Sequence, residues 1–250
     1  MSIPRKIRCS VSSIVDHGGR VYTVELKPER PVPAFLPGQF LHLTVDDFDP
    51  AGFWPESRVF SIASSPTEPD RIRICYSVKG RYTQKMQRTL AVGRDVWIKL
   101  PYGDFIIQPK DEVILFAGGT GISAFTAFLL GLTAENQQPV TLVYGARRPE
   151  LLLFQDLILE QFAKVLTLNV AFFAESASEA LCEKMAGLRR SPACFSGRIS
   201  LDSVFRPPLA ATSPTAAFYL AGPPLMIAAL SADLRTRGAN PEQIRIDAWE

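Results

Sequence analysis

The chain has 250 residues, enough for two modest domains or one large one. It is 47% hydrophobic with a net charge of +2, which excludes a disordered chain and announces no basic patch for nucleic acid. Its apolar runs fall short of the roughly 20 residues that a membrane span needs, and the charged start MSIPRKIRCS has no apolar stretch behind it; the expectation is a cytoplasmic protein. Cys9, Cys75, Cys182 and Cys194 lack zinc and iron–sulfur spacings and are expected to be reduced.

Up to about residue 107 the chain reads as short strands. VYTVELKP and FLHLTVDD alternate apolar and polar residues. RIRICYSVK does so most clearly, with Ile72, Ile74, Tyr76 and Val78 on one face and Arg73, Cys75, Ser77 and Lys79 on the other. Proline and glycine punctuate at PERPVPAFLPG, PAGFWPES and SSPTEPD, and a helix is predicted over YTQKMQRTL. Short strands with such turns specify an antiparallel sheet or a small closed barrel. From about residue 112 the rhythm changes. EVILFAG, VTLVYGA, LTLNVAFFA and AFYLAG are almost wholly apolar, and ISAFTAFLLGLTAEN, ELLLFQDLILEQFAK and PLMIAALSADLRTRG have helical character. Strands buried on both faces that alternate with helices form a parallel α/β sheet. The boundary is expected in the polar QPKDE, dividing residues 1–107 from 108–250.

Two turns carry chemistry. FAGGTGI lies where a buried strand ends and a helix begins, so Gly119, Thr120 and Gly121 can turn N–H groups toward an anion at the positive end of the helix. Lacking a Cβ, the glycines allow close approach. YLAGPPLM places Gly222, Pro223 and Pro224 after the last apolar strand, again at a helix start. Either turn alone is compatible with simple punctuation; two over one sheet favour a dinucleotide site. His17 and His42 read as ordinary residues, and no Ser/His/Asp set is evident.

The motifs resemble those of the ferredoxin–NADP reductase superfamily in content and order: PGQF (37–40), RVFS (58–61), VKGRYT (78–83), PYGDF (101–105), GGTGI (118–122), YGARR (144–148) and AGPPLM (221–226). The resemblance implies an N-terminal antiparallel β-barrel holding flavin and a C-terminal α/β parallel-sheet nucleotide-binding domain. It implies that Arg58 meets the flavin diphosphate, Phe60 stacks on the ring system, Ser61 lies near the flavin N5, and Gly80 and Thr83 open a second phosphate turn. Val59, Val78, Lys79 and Tyr82 fall inside these motifs, and Arg147, Arg148 and Met226 inside those of the nucleotide domain. Tyr76 suits the core as well as a flavin wall. Where many relatives have a cysteine, this chain has Ala221. In IRIDAWE, Asp247 and Trp249 take the place of the acidic and aromatic residues of many relatives, Trp249 over the flavin face; the alternative is a frayed tail.

The implied cofactor is FAD rather than FMN, with NADH or NADPH as substrate. Glu175, after the third strand of the second half, leans toward NADH, because it suits a ribose hydroxyl and repels a phosphate; Arg147 and Arg148 argue the other way. Lacking a cluster of its own, such a protein passes electrons to an acceptor or partner subunit carrying an iron–sulfur, flavin or haem centre, with Arg71, Arg73 or Lys79 available to an acidic surface. The rivals are a non-catalytic NAD(H)-binding or structural subunit, which Ala221 suits, and a methyltransferase, against which the strand-rich first half speaks.

Overall fold

The computed structural model describes residues 3–108, 111–205 and 215–247. They divide into two compact units. One comprises Met1–Ile106 and Ser123–Gly131, the other Ile107–Ile122 and Leu132–Glu250.

The first unit is a nearly closed antiparallel barrel of β1 (Arg5–Asp16), β2 (Val21–Pro28), β3 (Phe40–Thr44), β4 (Arg58–Ser61), β5 (Ile72–Ser77) and β6 (Asp95–Tyr102), in the order β4-β3-β6-β1-β2-β5. Just past β4, the Ala63 N–H donates to the Arg73 carbonyl in β5 at 2.8 Å. That bond joins the two ends of the sheet and leaves less free edge. The alternation in β5 is as expected: Ile72, Ile74, Tyr76 and Val78 enter the barrel core beside Leu26, Leu41 and Ile98. The helix α1 (Arg81–Thr89) sends Tyr82 and Met86 into the same core. Strand β1 escaped the sequence reading because its alternation is broken by a bulge between Val11 and Ser13.

Two motifs lock one end of this barrel together. Gly38 of PGQF has φ +96, and a Cβ there would stand 2.2 Å from the Phe105 carbonyl oxygen of PYGDF. In return Gly103 of PYGDF has φ +95, and its Cβ would stand 2.7 Å from the Phe40 ring. Gln39, 5% exposed, accepts from the Leu36 N–H at 2.9 Å and donates to the Gly103 carbonyl at 3.1 Å. The helix α2 (Ser123–Gly131) is apolar on all sides and buried from Ser123 to Leu129. Its Thr126 hydroxyl lies 2.9 Å from the Ala63 carbonyl and 3.0 Å from that of Ser123.

The second unit is a wholly parallel sheet of β7 (Val113–Gly118), β8 (Val140–Ala146), β9 (Leu168–Ala174), β10 (Ala193–Ser196), β11 (Ala217–Ala221) and β12 (Ile244–Asp247), ordered β10-β9-β8-β7-β11-β12. Residues of β7 and β11 are buried throughout, which explains their unbroken apolar runs. The helices are α3 (Gln155–Lys164), α4 (Ser178–Ala186), the single turn α5 (Leu201–Val204) and α6 (Pro224–Thr236). The segment IRID is strand β12, paired in parallel with β11, so up to Asp247 it is no frayed tail. One expectation is corrected: Cys182 in α4 and Cys194 in β10 form a disulfide, while Cys9 and Cys75 are buried thiols outside any disulfide. Packing of α4 along β10 brings the two Cα atoms to 5.3 Å, within disulfide reach; their spacing in sequence carries no such signal.

Gly38→Ala and Gly103→Ala each force a Cβ into a filled space at a left-handed backbone position. Each is expected to cost about 2–4 kcal/mol, read as a lower unfolding midpoint in thermal melts, whereas alanine at Gly80, where a Cβ meets nothing within 4 Å, should cost far less.

Candidate functional site

The second sheet has a switch point. The chain leaves β7 toward β8 on one side and later returns on the other as β11, and open parallel sheets bind ligands beyond the carboxyl ends of their strands at such a point. Both glycine turns lie there. Strand β7 runs through a 3-10 turn, Gly119–Ile122, into α2. Strand β11 runs through Gly222 and Pro223 into α6, which starts at Pro224.

These turns are packed backbone against backbone. A Cβ on Gly121 would stand 2.3 Å from the Ala221 carbonyl oxygen, one on Gly222 2.9 Å from the Gly118 Cα, and one on Gly118 2.5 Å from the Met226 sulfur. Gly119 meets a different demand: its φ is +52 and nothing lies within 4 Å of the Cβ position. Three glycines therefore join the turns to each other, and the fourth lets the chain double back with one side open. Thr120 and Gly121 stay partly exposed beside it. That open side, where a strand gives way to helix, suits a phosphate. Met226 serves here as packing against Gly118.

Tyr144 is a part of this site that the sequence reading missed. It is fully buried in β8. Its hydroxyl accepts the Leu153 N–H at 2.8 Å and lies 3.1 Å from the Gly119 carbonyl and 3.2 Å from that of Leu151, so one hydroxyl ties the glycine turn to the segment after β8. Its sequence signal was its place at the head of the YGARR motif, after a run of aliphatic strand residues.

Beyond the glycine turn, the ends of β8, β9 and β10 bring charges together. Arg147 and Arg148 follow β8. Glu175 and Ser176 follow β9, with their N–H groups on the Ala146 and Arg147 carbonyls at 3.2 and 3.1 Å. Arg198 follows β10, and its Nε is 3.4 Å from Glu175 Oε2. Arg148 lies 3.9 Å from Glu150. On the other side, Asp247 pairs in register with Ala221, beside Gly222 and Pro224. A groove of about 460 Å³ follows α6 from there, bordered by Ile227, Ser231, Arg235 and Asp247. The Ser231 hydroxyl at its wall is buried and has no hydrogen-bond partner among the described residues. Trp249 lies outside the described residues.

In the first unit, Arg58 and the α1 start are neighbours because Tyr82 stands between them. The Arg58 guanidinium lies over the Tyr82 ring at 4.7 Å, and Tyr82 belongs to the first turn of α1. The Tyr82 hydroxyl is fixed by the Val45 N–H at 3.1 Å and the Glu56 carbonyl at 3.0 Å. Glu56 faces Arg58 at 3.0 Å and Arg81 at 3.8 Å. Thr83 is engaged in its own turn, its hydroxyl accepting the N–H groups of Lys79 and Gly80 at 3.0 and 3.1 Å. Phosphate donors at this turn would therefore be Arg58, Arg81 and the first-turn N–H groups of α1, which a helix leaves unused; the donor set fits a flavin diphosphate. Phe60 and Tyr76 meet edge to face at 6.2 Å in the barrel core, and Tyr76 also stacks on Tyr22 at 5.3 Å. Ser61 is half-buried opposite Phe40. Val59 pairs with His42, and the Val78 N–H bonds the Arg20 carbonyl. Arg73 is taken up by Glu25 at 2.6 Å and Arg71 by Glu68 at 3.3 Å.

Among the described residues no group of side chains is arranged to hold a metal, and no helix is long and apolar enough to cross a membrane. Both histidines sit below their ordinary pKa, chiefly through burial; for His42 the Lys99 ammonium adds to this, while for His17 Asp16 opposes it.

Comparison with known proteins agrees with this geometry. Residues 115–232 match the family described as "Oxidoreductase NAD-binding domain". The chain is 34% identical over 151 residues to an NAD(P)H-flavin reductase of Vibrio harveyi, covering 56% of this chain and 60% of that protein. It is 31% identical over 172 residues to the reductase component of phenol 2-monooxygenase from a Pseudomonas strain, covering 64% and 47%. The chain thus matches about half to three fifths of the length of these two relatives. A solved structure titled "Ferredoxin reductase in carbazole 1,9a-dioxygenase" superposes with a TM-score of 0.75 at 24% identity, over 99% of this chain and 70% of that one. Residues 115–232 thus match an NAD-binding oxidoreductase domain, and the chain shares the fold of that solved reductase structure, an antiparallel barrel with a parallel α/β sheet.

Tyr144→Phe should strand the buried Leu153 N–H and release the Gly119 carbonyl, costing about 1–3 kcal/mol in denaturant unfolding; an unchanged midpoint would show that the turn is held by other contacts. The histidines set a pH dependence. Because the fold disfavours their protonated forms, the unfolded chain binds more protons, and stability falls as pH drops from about 7 to about 5. His42→Gln should flatten part of that slope in melts run across the range.

Proposed function

We propose that this chain is an NAD(P)H-dependent flavoprotein reductase. The barrel unit holds FAD, the parallel-sheet unit receives NADH or NADPH, and the electrons leave for a separate redox protein. The observation that carries the reading is the pair of glycine turns joined at the switch point of a parallel sheet, with an open side at Gly119. The Arg58–Tyr82 cluster at the start of α1 supports the flavin half.

When bound, the flavin would accept hydride from the nicotinamide and release electrons to the acceptor. The protein's own contribution is placement. Arg58 and Arg81 supply charge to the flavin diphosphate, a contact that requires both to turn away from Glu56. Ser61 offers a hydroxyl toward the flavin ring. Gly119–Gly121 hold the coenzyme diphosphate, and Gly222–Pro224 border its nicotinamide, with Asp247 alongside. Trp249 is assigned to cover the ring face until the nicotinamide enters. Holding reactants in fixed orientation is the main lever available to a site with no general acid–base pair. The acceptor is proposed to be a protein bearing an iron–sulfur, flavin or haem centre, in line with relatives named as reductase or electron transfer components of oxygenases. Of the basic residues considered for that surface, Arg71 and Arg73 already pair with Glu68 and Glu25.

Anaerobic titration of flavin-loaded protein with NADH, and separately with NADPH, tests this directly. Loss of the flavin absorption is expected with both nucleotides. If neither bleaches a sample that has bound flavin stoichiometrically, the catalytic reading fails and a nucleotide-binding subunit takes its place.

A further inference from the structure

Accepting that the second unit binds a nicotinamide coenzyme, we propose that Arg198 selects the coenzyme, admitting a 2′-phosphorylated adenosine by turning from Glu175 to the phosphate. The diphosphate seat at Gly119–Gly121 lies at the end of β7, and the row of strand ends runs from there through β8, β9 and β10. A dinucleotide leaves its diphosphate in two directions. The Gly222–Pro224 turn and Asp247 border one, so the adenosine takes the other, over the ends of β8 to β10. A carboxylate in that position accepts from a ribose 2′-hydroxyl, and an arginine accommodates a 2′-phosphate.

Here both groups are present and face each other. Glu175 by itself reads as a barrier to NADPH. The structure shows it partnered: Arg198 Nε stands 3.4 Å from its Oε2, with the arginine side chain 86% exposed and the glutamate 42% exposed. An ion pair so open to water holds its partners weakly, so a ligand phosphate, which offers a guanidinium two oxygens in a matched geometry, competes well for Arg198. The position of Arg198 is itself secured. Gly197, at φ +93, donates its N–H to the Ala174 carbonyl at 2.8 Å, which fixes the turn after β10 against the end of β9. Ser176 Oγ, bonded to the Arg147 carbonyl at 3.1 Å, ties the β9 end to the β8 end in the same way. Sequence reading passed over Arg198 because it follows the short, polar-flanked strand β10 and belongs to none of the quoted motifs.

The resulting site accepts both coenzymes. With NADH, Glu175 serves the ribose hydroxyl and Arg198 offsets its charge. With NADPH, Arg198 meets the phosphate beside Arg147 and Arg148. The test is calorimetric binding of adenosine 2′,5′-bisphosphate and of 5′-AMP to the full chain, with Arg198→Ala, Arg198→Lys and Glu175→Gln. The wild-type protein should bind both nucleotides. Arg198→Ala should weaken the bisphosphate about tenfold or more while moving 5′-AMP less than about twofold, and Arg198→Lys should restore part of the loss. Glu175→Gln should tighten the bisphosphate and weaken 5′-AMP. Equal effects on the two nucleotides, or none, would overturn the proposal. Binding of 5′-AMP alone by the wild type would overturn it while leaving the coenzyme reading intact; binding of neither would remove both.

Discussion

The second unit depends on one contact: the backbone of the Gly118–Gly121 turn pressed against the backbone of Ala221 and Gly222. Carbonyl and amide groups come within Cβ range of each other, so side chains are excluded on both sides. Strands β7 and β11 are hydrogen-bonded neighbours, and their exits must diverge at once into different helices. Glycine makes that divergence possible without a gap. The open face at Gly119 is then a by-product of how the two exits are fitted together, and its usefulness to a phosphate follows from where it lies, at the carboxyl end of a parallel sheet. Tyr144 completes the arrangement from below, since a buried hydroxyl that is bonded to the chain on several sides is costly to move.

The barrel uses a related device in a different place. Gly38 and Gly103 each sit at left-handed φ and each is closed over by an aromatic residue of the other's motif, Phe105 and Phe40. Reciprocal packing of this sort explains why PGQF and PYGDF occur together although more than sixty residues lie between Gly38 and Gly103: they are two halves of one joint, with Gln39 as its internal hydrogen-bonded pin. Their place in the resemblance thus has a structural cause that is separate from flavin chemistry.

Charge is handled by pairing. Arg58 and Arg81 share Glu56, Arg73 holds Glu25, and Arg198 holds Glu175. The more exposed of these pairs cost little to open, which would let their arginines change partner on the proposed arrival of an anionic ligand. Arg73, 16% exposed in its side chain and 2.6 Å from Glu25, is by contrast a fixed part of the barrel wall.

The amino-acid order alone determined the two rhythms and the main turns. Period-two alternation in residues 71–79 and unbroken apolar runs from Glu112 onward report whether a strand is buried on one face or two, and that is a local property of the residues. The glycine turns were legible because backbone freedom is written into a residue type. What only the tertiary structure decided was partnership. That Cys182 reaches Cys194, that IRID pairs with β11, that Tyr144 holds Gly119 and that Arg198 neutralises Glu175 all follow from separate strands, helices and turns being set side by side, and no spacing in the sequence encodes which residue of one comes to stand next to which residue of another.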